Sequence, residues 1–152
     1  MNNTISKSTM KKSLYAFLVF ISGILSAQKN PNVQFAVSNN AVGTVTMFDH
    51  YKNNIEKVNV FKTKTSLPQH LKKFDYLADN GLTEIKFKKN AGTPDMMSLE
   101  MLNEQFNLPK NTVVFIDGYQ FDHPETNIYS EIIINGKVIE NDGKKSLHIS
   151  TN

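Results

Sequence analysis

The chain has 152 residues, 39% hydrophobic and 20% charged, with 17 Lys, no Arg, 14 acidic residues and a formal net charge of +3. That is one globular domain by length, too apolar to be disordered and too short for a large barrel or several catalytic domains. With no Cys, a disulfide framework, a thiolate zinc site and a cysteine nucleophile are all excluded.

Residues 1–27 read as a cleaved secretory signal peptide. Lys7, Lys11 and Lys12 make a positive start, Leu14–Ile21 an apolar run, and Ser26-Ala27 a small-residue pair before Gln28. The run is too short to span a bilayer, which takes about 20 residues. No Cys follows it, so a lipoprotein anchor is excluded. Removing Lys7, Lys11 and Lys12 leaves 14 Lys against 14 acidic residues, a formal net charge of zero. A charge-balanced chain without the Arg fork is a poor match to phosphate or guanine, so no nucleic-acid partner is expected. The protein is expected to be exported, periplasmic or secreted, and to meet a membrane only through a partner.

Residues 28–40 are polar and Asn-rich, with Pro31 early, and read as a tether or frayed first strand. A single domain is expected over residues 41–152. Thr44–Phe48 has strand composition. Ile55–Phe61 alternates, with Val58 and Val60 on one face and Lys57 and Asn59 on the other, as in a half-buried strand.

Ser66-Leu-Pro-Gln69 matches a capping box, with Leu67, Leu71, Phe74 and Leu77/Ala78 following at helical spacing and Gly81 placed to end the helix. Thr83, Ile85 and Phe87 then alternate with Glu84, Lys86 and Lys88, predicting a strand with one wet face. Asn90–Asp95 is a loop. Ser98 can cap a shorter helix with Leu99, Leu102 and Phe106 inward, ended by Pro109.

The unbroken Val113–Ile116 run predicts a central strand buried on both faces, closed by an Asp117-Gly118 turn. Asn135-Gly136, between Ile132–Ile134 and Lys137–Ile139, is the favoured hairpin dipeptide. The competing reading makes residues 125–132 a short helix and Asn135-Gly136 an ordinary loop. Asn141-Asp-Gly143 is a further turn into Ser146–Ser150. Together these elements predict an α+β fold: a mixed or antiparallel sheet of about five to seven strands, with one or two helices on one face.

Phe48-Asp-His-Tyr-Lys-Asn-Asn-Ile55 and Phe121-Asp-His-Pro-Glu-Thr-Asn-Ile128 match at Phe, Asp, His, Asn and Ile in one register. An internal duplication of a strand–connector–strand–strand unit is one reading; coincidence in a chain rich in Asn and Asp is the other.

Asn54-Ile-Glu-Lys-Val-Asn-Val-Phe-Lys62, followed by Leu77-Ala-Asp-Asn-Gly-Leu-Thr-Glu-Ile-Lys-Phe-Lys-Lys89, resembles the plug domain of TonB-dependent outer-membrane receptors. That family carries an I-x-x-I-x-V-x-K strand, a helix, and an N-G-x-I-x-I-x-x-K-K strand. Val114-Phe-Ile-Asp-Gly118 is similar to its V-x-D-G strand, and a fainter echo runs over residues 113–140. The family's Tyr-Gly pair is missing, because Leu77 follows Tyr76, and the element order differs. No barrel follows the matching segment. The resemblance therefore implies a plug-like module without transport of its own.

No motif specifies a reaction. The Asp49-His50 and Asp122-His123 pairs would converge on a metal, or supply a small periplasmic hydrolase, if the halves were related by pseudo-symmetry. The commoner role of an Asp-His dipeptide after a strand is turn chemistry. Asp117 could present a carboxylate in a cleft, its commoner role again being the turn. His70 and His148 are expected on wet surfaces. Phe61, Tyr119 and Tyr129 fall on or beside wet faces, where an interface uses amphipathic rings, or where rings cover the rim of a core. The resulting expectation is an exported, non-enzymatic binding module with no cofactor, whose partner is an envelope protein or a small ligand.

Overall fold

The computed structural model describes residues 34–152; the expected signal peptide and residues 28–33 of the expected tether lie outside them. The fold is α+β, as its alternating segments predict, but the strands divide into two mixed sheets. The larger takes the order β3 (Ile55–Phe61), β4 (Leu82–Phe87), β1 (Phe35–Ser38), β2 (Ala41–Thr44), β8 (Asn127–Tyr129), β5 (Met96–Ser98). The smaller takes the order β7 (Tyr119–Phe121), β6 (Val113–Ile116), β10 (Lys144–Ser150), β9 (Asn135–Asn141). Each is assembled from antiparallel pairs joined edge to edge by parallel seams: β1–β4 and β2–β8 in the first, β6–β10 in the second.

Three of the antiparallel pairs are tight hairpins. Asn39-Asn40, Asp117-Gly118 and Asp142-Gly143 each sit between directly paired strand ends with both residues at positive φ, the type I′ geometry. The first falls inside the expected tether. Of the two readings for that stretch, the strand is the one found, and Phe35–Ser38 is not frayed but an inner strand, buried along its whole length. The domain thus begins before residue 41.

Asn135-Gly136 is not a turn. It opens β9, and the hairpin reverses at Asp142-Gly143 instead. A β-carbon on Gly136 would run into the ring of Phe106 and touch Ile149, so this glycine serves a close approach between strand and helix end. The central placement of β6 holds, yet only Val114 and Ile116 are buried, while Phe115 faces outward and stacks on His148.

Of the expected strand Thr44–Phe48, only Thr44 belongs to one, ending β2; Val45–Phe48 enter α1 (Val45–Asp49), because the Thr44 hydroxyl accepts the Met47 amide at 3.2 Å and caps it. Burial of Met47 and Phe48 then outweighs the strand preference of Val45 and Thr46. Leu99–Gln105 forms α2, capped by Ser98 as its sequence predicts.

The expected capped helix is a 3-10 helix over Gln69–Asn80. Leu71, Phe74 and Leu77 recur every third residue, the period of a 3-10 turn, and all three are buried. Ser66 does not cap it; its hydroxyl bonds back to Thr63 and closes a separate short turn at Lys64–Ser66.

β3 alternates as predicted, with its faces reversed. Val58 and Val60 are 51% and 66% exposed, whereas Asn59 is half-buried and donates to Glu84 at 2.8 Å. β3 is an outer strand, bulged between Ile55 and Lys57, and the long 3-10 helix covers only its Asn59 face.

One buried cluster draws on both sheets. Phe35 meets Tyr119 edge-on at 5.1 Å and Phe121 at 6.1 Å. On the opposite face of the large sheet, Phe48 of α1 packs against Phe87 and Tyr129. Helices therefore cover both faces of that sheet. The two segments of the internal echo also differ in structure. One runs from α1 into an outer strand, and the other from β7 of the small sheet into an inner strand of the large one.

Candidate functional site

Tyr119 and Tyr129, expected at wet faces, are 1% and 0% exposed. Each lies on a three-residue strand whose alternation turns the ring into the core, and each hydroxyl finds an internal partner. Tyr129 donates to the Ser38 carbonyl at 3.0 Å; burial pushes its phenol pKa up, and that bond pulls it partly back. Tyr119 accepts from the Asn80 amide at 2.9 Å. Phe61 is half-buried beside Leu82 and packs on the core. These three residues form no surface patch.

The two Asp-His pairs are exposed and are not brought together. Phe35 and Leu82 are register partners and share a face of the large sheet; Phe87, an odd number of residues further on, faces the other way. Phe48 contacts Phe87 and Phe121 contacts Phe35, so Asp49-His50 and Asp122-His123 lead off from opposite sides of the sheet. Asp49 pairs with Lys52 at 3.5 Å, Asp122 accepts from Gln120, and His123 lies 3.4 Å from Glu125. Among the described residues, no group of three or more His, Asp or Glu side chains could hold a metal ion. Asp117 takes its turn role and accepts from the Thr151 amide and hydroxyl, pinning the last strand's end.

The structure builds its cleft elsewhere. β4 runs on to Phe87, past its last pairing with β1 at Val37–Glu84, while the chain turns away at Asn39-Asn40. The notch left beyond the end of β1 is roofed by the start of the long 3-10 helix and has a volume of about 460 Å³. Val37, Leu71 and Phe74 give it apolar walls; Asn39, Asn40, Glu56 and Lys86 stand at its exposed rim.

His70 reaches into the same lining and meets Glu84 at 2.7 Å through Nε2. The Glu84 side chain is only 12% exposed, and its other oxygen accepts from Asn59. Burial pushes the Glu84 carboxyl up, but the bonds from His70 and Asn59, with the charges of His70 and Lys86, outweigh it and hold the pKa below its usual value. An anionic Glu84 thereby fixes the imidazole and leaves Nδ1 as its second hydrogen-bonding edge.

No family model, curated protein or solved structure matches the chain. The cleft residues were invisible to linear reading because His70 looks like a wet helix residue and Glu84 like the wet side of a strand. Only the helix-to-strand contact joins them. Among the described residues, no helix is long and apolar enough to cross a membrane.

Proposed function

We propose that this protein is an exported, non-catalytic binding module of the cell envelope, working by contact with a partner protein at the β3 edge. The observation that carries the reading is the reversed face of β3. A seven-residue strand that is outermost, with one neighbour, among the described residues presents Val58 and Val60 to solvent, half or more exposed. An outer strand offers unpaired backbone groups, and outward valines add apolar area to whatever strand or surface docks there. The signal-peptide pattern of residues 1–27 supports export. The likeness of residues 54–89 to a receptor plug supports an envelope setting, and those residues form β3, the long 3-10 helix and β4.

The test compares the tagged protein with its Val58→Lys/Val60→Lys variant on its own envelope fraction. The native chain is expected to retain a protein that the variant loses at an unchanged melting temperature. Identical retention by both, or retention by neither, overturns the reading.

A further inference from the structure

We propose that the cleft at the end of β1 binds a sugar ring, a neutral ligand rich in hydroxyls with one apolar face. Its volume of about 460 Å³ lies in the range of small-ligand sites. Balanced charge sets the ligand's charge class. Glu56 and Lys86 oppose one another at the rim, and the Glu84 carboxylate is already met by His70 and Asn59. An anion or a cation finds no net complement there. A wholly apolar ligand would strip water from amides and carboxylates without replacing their hydrogen bonds.

A hydroxylated ring satisfies both halves of the lining. Its C–H face can lie against the edges of Leu71 and Phe74 that reach the notch, while its hydroxyls meet groups able to donate or accept. Those groups are held in place beforehand. Asn39 and Asn40 are locked in a type I′ turn, and His70 is oriented by a carboxylate that Asn59 in turn fixes. Among the described residues, the β1 side of β4 has no strand neighbour beyond Glu84, so its backbone is also open to a ligand.

The test is a titration of the isotope-labelled full chain, followed by amide chemical shifts. Glucose, galactose and N-acetylglucosamine, each also as its methyl glycoside, and the charged sugars glucosamine and glucuronate are added up to about 50 mM. Saturable shifts confined to Asn39, Asn40, His70 and residues 84–87, with a Kd of roughly 1 mM, are expected. Glycosides binding as well as free sugars assign the ligand to the end of a glycan, and free sugars alone assign it to a monosaccharide; both uphold the proposal. Glu56→Gln, at an exposed position, should weaken binding about tenfold without lowering the melting temperature, and His70→Ala should weaken it by a similar factor. No saturable shift with any sugar, no effect of either variant, or preference for glucosamine or glucuronate overturns it. Val58→Lys/Val60→Lys should leave sugar binding unchanged, so failure here and failure of the β3 reading are separable.

Discussion

At the level of single residues, the polar side chains inside this protein act as locks. Tyr129 bolts β8 to the end of β1, and Glu84 ties the long 3-10 helix to two strands. His148 is different: burial, and secondarily the charge of Lys137, hold its pKa below the usual 6.5 as it stacks on Phe115. As pH falls through about 6.5 the unfolded chain takes up a proton that the folded one resists, so stability is lost below that value and fully present above it. Glu84 has the opposite charge and a lowered pKa, so its contribution is fully present above the ordinary carboxyl value of 4.5 and fades only in stronger acid. Urea unfolding at pH 7.5 and 5.5 should therefore show a loss that His148→Gln abolishes and Glu84→Gln does not. The other single residue with a sharp consequence is Gly136. Gly136→Ala must displace the Phe106 ring or bend β9, and should cost about 1–3 kcal/mol by denaturant titration.

Elements were legible where the signal is local. The Ser98 cap, the Asp-Gly turns, the β4 alternation and the inward Leu71, Phe74 and Leu77 can be read from neighbours within a few positions. Legibility failed where a distant partner decides. Nothing near Val58 says that its face is the uncovered one; that follows from β3 ending the sheet. Thr44–Phe48 has strand residues, and only the aromatic pocket formed by Phe87 and Tyr129 makes a helix the better burial. Asn135-Gly136 has the composition of a hairpin turn, but the helix end pressed against it claims the glycine. The candidate cleft follows the same division: its turn is local, and its His70–Glu84 bond is not.

For the molecule as a whole, hairpins are the local units and the parallel seams are what join them. β2 pairs with β8 across more than eighty positions, and Ser38 and Tyr129 bond at a separation of 91 residues. Chains dominated by such distant pairings fold in milliseconds to seconds, and stopped-flow refolding should place this one there rather than among microsecond folders. A chain ending before Asn127 keeps β2, buried along its length in the complete fold, as a bare edge, and should scatter light as aggregates where the full chain does not. The seams also set a timetable. Phe35–Thr44 leaves the ribosome early, but the large sheet cannot close until β8 has been synthesised. Under the export proposed above, the strand order itself delays folding and lengthens the time in which the chain is still open to translocation.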